Sequence, residues 1–522
     1  MPSAAQVFSA NLLAALSELE VEEVFLAPGS RSQSLAIAAQ QLHDANRLVL
    51  RVRIDERSMA FTALGAAKAS GRPVAIITTS GTAVANLLPA VLEASHSGVP
   101  LILLTADRPA ELRGVGANQT TNQVGIFGDS VRACIDVEAP TEPVDTNFVK
   151  ALAEQAVATA LGINQDSPGP VQLNLCFREP LSSAEPNASD LHPGAKLLEK
   201  ETPQPTFAIL SGEKNTILVA GAEAGLEALE GAEAFGWPIF AEPSSRCRVG
   251  ANAIVGYPVL LEEEKDLADG IQRVVVYGKP TLSRQVQKLI ARKDIELVVI
   301  KSKLMGPFNP YGNAKEIADE ITVNGEVSSD WLVRWRVAAH NWLSVQETSK
   351  SLDRRKIIET VYNVSEIDDT IVLGASRMIR EADTWAPVKA IQVFSNRGLS
   401  GIDGTIATAT GIALGGEGSY TRAIIGDLTL LHDASSMIED SEEDLNLQLI
   451  MVNDQGGSLF EKLEVRKVVE EAVFDRVFRA GQKVDYWSLA NAYGFSYFCP
   501  TNEAELRNAL ATKGRVLIEV KL

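Results

Sequence analysis

Asp427 follows the apolar run 423–425 and Gly426, and Asp454 follows the apolar run 447–452 and Asn453. Short apolar runs of this kind predict buried parallel strands. Acids directly after them fall at the strands' carboxyl ends, where open α/β sheets place their ligands. Gln455-Gly456-Gly457 comes next, and glycine there lets the Gly456 backbone carbonyl turn inward. Two carboxylates and a carbonyl make a hard oxygen set suited to Mg²⁺ or Mn²⁺, with coordination positions left for phosphate oxygens. The plainer alternative is that each aspartate caps the helix after it.

Other chemistry-bearing residues also follow predicted strands. Gly29-Ser30-Arg31-Ser32 opens a helix after Pro28, so backbone N–H groups and a two-pronged guanidinium are available for an anion. Asp55-Glu56-Arg57 starts another helix. Acids in a first turn usually serve the helix dipole. A buried Glu56 would instead have a raised pKa suited to proton exchange with a ligand nitrogen. Asp107-Arg108-Pro109 and the Gly-rich run ending Asn118-Gln119 follow the strand that closes at Thr105. Ser376-Arg377-Met378-Ile379-Arg380 and the Gly/Ser-rich run 395–404, with Arg397, follow two later strands. Taken singly, each arginine reads as a surface charge. Taken together, Arg31, Arg108, Arg380 and Arg397 suit a substrate with several carboxylates.

These residues need rigid elements to carry them. Expected strands at 23–27, 48–54, 74–78, 100–105 and 171–175 alternate with helices at 56–69 and 83–93, which argues a parallel sheet covered on both faces. Residues 182–205 are rich in Ser, Pro, Asn, Glu and Lys and read as a linker. A second α/β segment has strands at 216–220, 274–277 and 297–300, a helix at 222–234 and an exit helix at 331–345. Its Gly221 and Gly225 do not complete a dinucleotide fingerprint. A third has strands at 370–373, 391–394, 423–425, 447–452 and 516–520 and a helix at 405–413. The expectation is an α/β chain of three domains, 1–182, 183–345 and 346–522, with parallel sheets flanked by helices.

The chain has 522 residues and a net charge of −19, which argues against general binding to nucleic acid or to an anionic membrane. Its four cysteines, Cys134, Cys176, Cys247 and Cys499, are far apart, so neither a zinc site nor a disulfide scaffold is expected. No basic segment precedes the first apolar stretch, and no apolar run approaches the ~20 residues of a membrane span. A cytoplasmic enzyme is the expectation. Phosphate-loop, nucleophile-elbow and zincin motifs are absent from the sequence.

In this order the motifs resemble the thiamine diphosphate enzymes, whose metal signature is G-D-G, some two dozen residues, then N or D-N. Here it reads Gly426-Asp427-Leu428 and Asn453-Asp454-Gln455-Gly456-Gly457. Leu428 departs from the usual glycine and Asp454 from the usual asparagine, yet both changes keep the oxygen ligands. Pro28 to Ser32, Asp55-Glu56-Arg57, Thr79 to Asn86, Thr105 to Pro109, Gly116 to Gln119, Ser395 to Gly398 and Ser400 to Gly404 narrow the match to the branch serving menaquinone biosynthesis.

The resemblance implies decarboxylation of 2-oxoglutarate and 1,4-addition of the succinyl-semialdehyde unit to isochorismate. It places Glu56 at the pyrimidine N1′ and Gln119 beside the reacting intermediate. Pro28, Glu56, Ser400, Gly401, Ile402, Gly426, Asp427, Leu428 and Gly457 would contact thiamine diphosphate, with Ile402 as the wedge that keeps it bent. Asp427, Asp454 and the Gly456 carbonyl would hold the metal. Ser30, Arg31, Arg108, Asn118 and Gln119 would face the substrates from one side. Ser376, Arg380, Arg397, Leu459 and Phe460 would face them from the other, with Arg284 as a further basic contact. The family also implies a homodimer or homotetramer whose active sites lie between subunits. An acetolactate-forming or simple 2-oxoacid decarboxylase of the same family is the alternative. A non-catalytic binding protein on this scaffold would be expected to lack Glu56 or the metal acids.

Overall fold

The computed structural model describes residues 2–163, 167–182, 188–197, 204–347, 349, 351–416, 418–438 and 443–522. Its first sheet contains β1 (Glu23–Leu26), β2 (Val49–Val52), β3 (Val74–Thr78), β4 (Leu101–Asp107), β5 (Ala133–Val137) and β6 (Val171–Cys176). All pair in parallel in the order β2-β1-β3-β4-β6-β5. The sequences of β3 and β4, VAIIT and LILLTAD, are buried throughout, as central strands covered on both faces must be. Helix Ala4–Glu18 starts in a capping box between Ser3 and Gln6 and packs with helices Gln33–Asp44 and Thr146–Ala160 over one face.

Helix Glu56–Ser70 covers the other face. Asp55 caps it, its carboxylate accepting from Arg57 N at 2.9 Å and Ser58 N at 3.2 Å, and Gly71 ends it at φ 70°. Against it lies helix Thr405–Ala413 from the far end of the chain. A Cβ on Gly65 would stand 2.1 Å from the Thr408 carbonyl oxygen, and one on Gly411 2.0 Å from that of Thr62. The two backbones touch where neither residue has a side chain.

The second sheet contains β8 (Thr216–Ala220), β9 (Ile239–Ala241), β10 (Arg273–Tyr277), β11 (Glu296–Ile300) and β12 (Glu316–Ala318), in the order β12-β11-β10-β8-β9. A parallel pair, β7 (Phe207–Ser211) and β13 (Glu320–Asn324), accompanies it. Helix Ser329–Ser344 seals one face with Trp331, Trp335 and Trp342, and Trp335 meets the Phe240 ring edge-on at 5.0 Å.

The third sheet contains β14 (Thr370–Leu373), β15 (Gln392–Phe394), β16 (Thr421–Gly426), β17 (Leu447–Asn453), β18 (Ser496–Phe498) and β19 (Val516–Lys521). Its order, β15-β14-β16-β17-β19-β18, repeats that of the first sheet strand for strand. In both, the chain reverses its winding between the first and third strands, at β1/β3 and β14/β16. A crevice opens at such a switch point.

By compactness the chain forms two units. One is Met1–Thr202 with Asp403–Gly415 and Asp433–Glu443; the other is Pro203–Ile402, Gly416–His432 and Asp444–Leu522. The α/β class with parallel sheets is as expected. The details differ in places. The helix expected at 83–93 is broken into Thr82–Ala85 and Leu88–Ser97, the second with a proline in its first turn. The helix expected at 222–234 starts only at Glu227, after Gly225 at φ 80°. Of the expected linker, 183–187 and 198–203 lie outside the described residues. Within 188–197, Ala188 and Ala195 are buried in the first sheet's core.

Candidate active site

In the first unit the expected residues gather at the carboxyl ends of β1, β3 and β4. Gly29 lets the chain pass Thr79, where a Cβ would stand 2.2 Å from the threonine Cβ. Arg31 N donates to Thr79 Oγ1 at 3.3 Å, bridging the two sides of the switch point. The Arg31 side chain is buried; its Nη1 donates to the Phe177 carbonyl at 3.1 Å, and its Nε has no partner. Burial, and then the Arg108 charge nearby, hold the Arg31 guanidinium below its ordinary range. Two guanidinium groups kept together against their mutual repulsion suit an anion.

Arg108 Nη1 donates to the Ser80 hydroxyl. Gln119, at φ 53°, donates from Nε2 to the Ser80 carbonyl at 2.9 Å and accepts from Ser80 Oγ at 3.0 Å. Arg31, Arg108 and Gln119 therefore share one set of loops. Pro28, Ser30 and Asn118 are exposed at their rim. Glu56 opens its helix one residue after the cap, and Asn86 Nδ2 reaches its Oε2 at 3.4 Å. Of the two readings of this acid, dipole partner and buried proton exchanger, the second needs a covered side chain; in this single chain Glu56 is half-buried.

In the second unit a cavity of about 430 Å³ opens at the β14/β16 switch point. Ser376, Arg380, Arg397, Ser400, Ile402, Gly426, Asp427, Leu428, Asp454, Gly456, Gly457, Leu459 and Phe460 all line it, which brings together positions that are scattered over the last third of the sequence. Gly401 and Arg284 do not line it. Arg284 is largely exposed and pairs with Glu464 at 2.9 Å, because it opens helix Arg284–Ile290 on the solvent side of the capping Ser283.

The cavity lining carries both acidic and basic side chains. Asp427 is buried, and its Oδ2 has no hydrogen-bond partner. Burial, with Asp454 adding like charge, pushes its carboxyl up to about 6. Asp454 accepts from Arg354 Nη2 at 2.6 Å. Gly456 is at φ 122°, and a Cβ there would stand 2.1 Å from the Arg479 carbonyl. Its own carbonyl accepts from Ser458 N at 2.9 Å and keeps a second lone pair. A Cβ on Gly426 would meet nothing nearer than Thr429 Oγ1 at 4.0 Å, so backbone and cavity are in open contact there. Among the described residues no group of three or more His, Cys, Asp or Glu could hold a metal. The donor set is thus two carboxylates and backbone oxygen, with one carboxylate oxygen unpaired. That set fits Mg²⁺ with its remaining positions left for phosphate oxygens.

The same lining includes Arg380 and Arg397. Arg397 is buried, and its Nη2 donates to Thr281 Oγ1 at 2.6 Å. Arg380 Nη1 donates to the Leu282 carbonyl at 2.6 Å. Sequence reading had not singled out Arg354, Thr429 or a holding role for Thr281. Arg354 lies 100 residues from its partner, and nothing local marks it.

Comparison with known proteins accounts for this arrangement. Residues 7–126 match the family described as thiamine pyrophosphate enzyme, N-terminal TPP binding domain, and residues 379–520 its C-terminal TPP binding domain. Over 99% of its length the chain is 40% identical to a 2-succinyl-5-enolpyruvyl-6-hydroxy-3-cyclohexene-1-carboxylate synthase of Leifsonia xyli subsp. xyli, covering 96% of that protein. It is 42% identical to the synthase of the same name from Arthrobacter sp., over 96% of this chain and 86% of the other. For that of Kineococcus radiotolerans the figures are 40%, 98% and 94%. The chain belongs to this synthase family of thiamine pyrophosphate enzymes. As thiamine pyrophosphate (thiamine diphosphate) enzymes do, it carries one TPP-binding domain near each end. Most of the lining of the cavity at β14/β16 falls in the C-terminal one. Among the described residues no helix is long and apolar enough to cross a membrane.

Proposed function

We propose that this protein decarboxylates 2-oxoglutarate and joins the remaining four-carbon unit to isochorismate, giving 2-succinyl-5-enolpyruvyl-6-hydroxy-3-cyclohexene-1-carboxylate. The observation that carries the reading is a cavity whose lining brings a carboxylate pair and several arginines together, in a chain 40% identical to that synthase over nearly its whole length. Both substrates are dianions, and the net charge of −19 repels them. Local guanidinium groups are what such chemistry requires.

Asp427, Asp454 and the Gly456 carbonyl would hold Mg²⁺, or Mn²⁺, against the diphosphate, with Gly426, Leu428, Gly457, Ser400, Gly401 and Ile402 around the cofactor. Pro28 and Glu56 would meet its pyrimidine. Bound thiamine diphosphate supplies the electron sink for the bond broken when CO₂ leaves. The Glu56 carboxyl would hold or release a proton toward the pyrimidine. Arg31 and Arg108, with Ser30, Asn118 and Gln119, bind substrate carboxylates and orient the reacting carbon. Ser376, Arg380 and Arg397 do so from the other wall, and Leu459 and Phe460 exclude water.

We read 1–182 as the pyrimidine-binding domain, 183–345 as central, and 346–522 as the diphosphate- and metal-binding domain. The working form is a cytoplasmic homodimer or homotetramer in which Glu56 of one subunit serves the cofactor held by Asp427 and Asp454 of another.

Mass spectrometry of products formed from 2-oxoglutarate, isochorismate, thiamine diphosphate and Mg²⁺ tests this. The expected result is one adduct, isochorismate plus the succinyl-semialdehyde unit, for each CO₂ released. Products unchanged by omitting isochorismate would overturn it. Arg397→Gln is expected to raise KM for 2-oxoglutarate about 10- to 100-fold, since a hydrogen bond to a charged group contributes about 1.5–3 kcal/mol. Steady-state kinetics would register this, with calorimetric affinity for thiamine diphosphate unchanged.

A further inference from the structure

Glu242 follows β9 in the second sheet and is almost fully buried. Its Oε1 accepts from two successive backbone N–H groups, Thr281 at 2.7 Å and Leu282 at 2.7 Å. Those two residues also hold arginines of the cavity lining. The Thr281 hydroxyl takes Arg397 Nη2 at 2.6 Å, and the Leu282 carbonyl takes Arg380 Nη1 at 2.6 Å. The same loop is pinned on both sides. The Leu282 side chain is buried in the core of the third sheet, and Lys279 Nζ donates to the Gly398 carbonyl at 2.8 Å, one residue from Arg397. Behind it, Gly221 lets Pro280 pass where a Cβ would stand 2.0 Å from the proline nitrogen.

A buried carboxyl is costly to keep unless it has fixed partners. Glu242 has two on Oε1 and none on Oε2. Burial, then the charge of Asp383, raise its carboxyl to about 8, against the pull of Arg397. Asp383 is itself buried and accepts from the Tyr257 hydroxyl, while Arg248 donates from Nε and Nη1 to the carbonyls of Ala386 and Ala241 at 2.9 and 3.0 Å. Among the described residues, the side-chain hydrogen bonds of Glu242 go to the loop alone.

We propose that Glu242 is a positioning residue for the substrate-binding wall: through the Thr281–Leu282 backbone it sets the directions of Arg397 and Arg380. This gives the central sheet a part in substrate recognition, and its kinetic arm rests on the function proposed above.

Three variants test it. Glu242→Ala removes both acceptor bonds. Glu242→Gln keeps an oxygen for them. Thr281→Val removes only the hydroxyl that takes Arg397. Glu242→Ala is expected to speed amide hydrogen exchange at Thr281 and Leu282 by at least about 10-fold, the loss of a protecting hydrogen bond, and to raise KM for 2-oxoglutarate about 10-fold with kcat and thiamine diphosphate affinity within twofold. Glu242→Gln restores exchange and KM to near the parent values. Thr281→Val raises KM alike without changing exchange, and it decides the matter if Glu242→Ala does not fold. The proposal is overturned if KM stays within twofold in Thr281→Val. It is also overturned if exchange is unchanged in a folded Glu242→Ala, or if that variant loses kcat and cofactor affinity in proportion to KM. Absence of any isochorismate adduct from the parent enzyme defeats the functional reading instead, and amide exchange then still decides whether Glu242 holds the loop.

Discussion

Glu56→Gln is expected to lower turnover by about 10²- to 10⁴-fold, the range that a positioned acid–base group supplies, with thiamine diphosphate affinity within a modest factor. The substitution is isosteric. The helix keeps its Asp55 cap, and the amide oxygen can still accept from Asn86 at the 3.4 Å position. What goes is the exchangeable proton. Single-turnover decarboxylation of 2-oxoglutarate, followed by CO₂ release, is the measurement, and turnover within a few fold of the parent would remove Glu56 from its role. A mixing experiment extends it. If sites are shared between subunits, randomised dimers of Glu56→Gln and Asp427→Asn chains regain about a quarter of the parent's activity, because half the dimers are mixed and each holds one site with both groups intact. No recovery beyond the two pure variants would place both groups on one chain.

Asp427→Asn is expected to have two effects of opposite sign. Retention of Mg²⁺ and thiamine diphosphate should weaken by about 100-fold or more, since even partners outside the metal's own ligands are worth 10- to 100-fold. The cation-free protein, however, should become more stable at pH 7.5. The Asp427 carboxyl titrates at about 6 in the folded chain because it is buried beside Asp454, against about 3.9 when unfolded. A raised carboxyl favours the folded state while protonated. That contribution is whole below pH ~4 and is lost as pH rises through about 6, at a cost of up to about 3 kcal/mol. Asparagine never ionises, so the variant gains at pH 7.5 and gains nothing at pH 4. Thermal unfolding in chelator at the two pH values would show it. A less stable variant at pH 7.5 would mean that the carboxylate is already compensated. Stability lost where a ligand must bind is a familiar exchange in binding sites.

The fold was readable wherever burial imposes a pattern. Strands β3, β8 and β14 stand where the apolar runs put them, because a strand covered on both faces must be apolar throughout. The strands that were missed are short or at edges. β9 and β18 have three residues each, and β5 mixes Cys and Asp among its apolar residues because much of it is only half-buried. The broken helix at 82–97 and the late start at Glu227 are turn effects that periodicity does not register. For the site, acids and arginines placed directly after buried strands were legible because the strand itself announces the position. Glu242, Arg354 and Thr281 were not. Each acts on a loop residue 39 to 116 residues away, and only the folded chain brings such pairs together. Arg284 illustrates the converse, since a plausible local motif ends on the solvent side of its helix.

Gly65 and Gly411 carry no chemistry, yet they narrow the chain's mutational freedom. Where their helices cross, even a methyl group would overlap a carbonyl oxygen by about an ångström. A neutral walk through sequence space can exchange the apolar residues around them in many combinations. At these two positions it has one letter available, and a single-base change to alanine or serine at either would have to be answered by a shift of a whole helix. The helix that begins with Glu56 thus inherits its alignment from two positions that evolution has little room to edit.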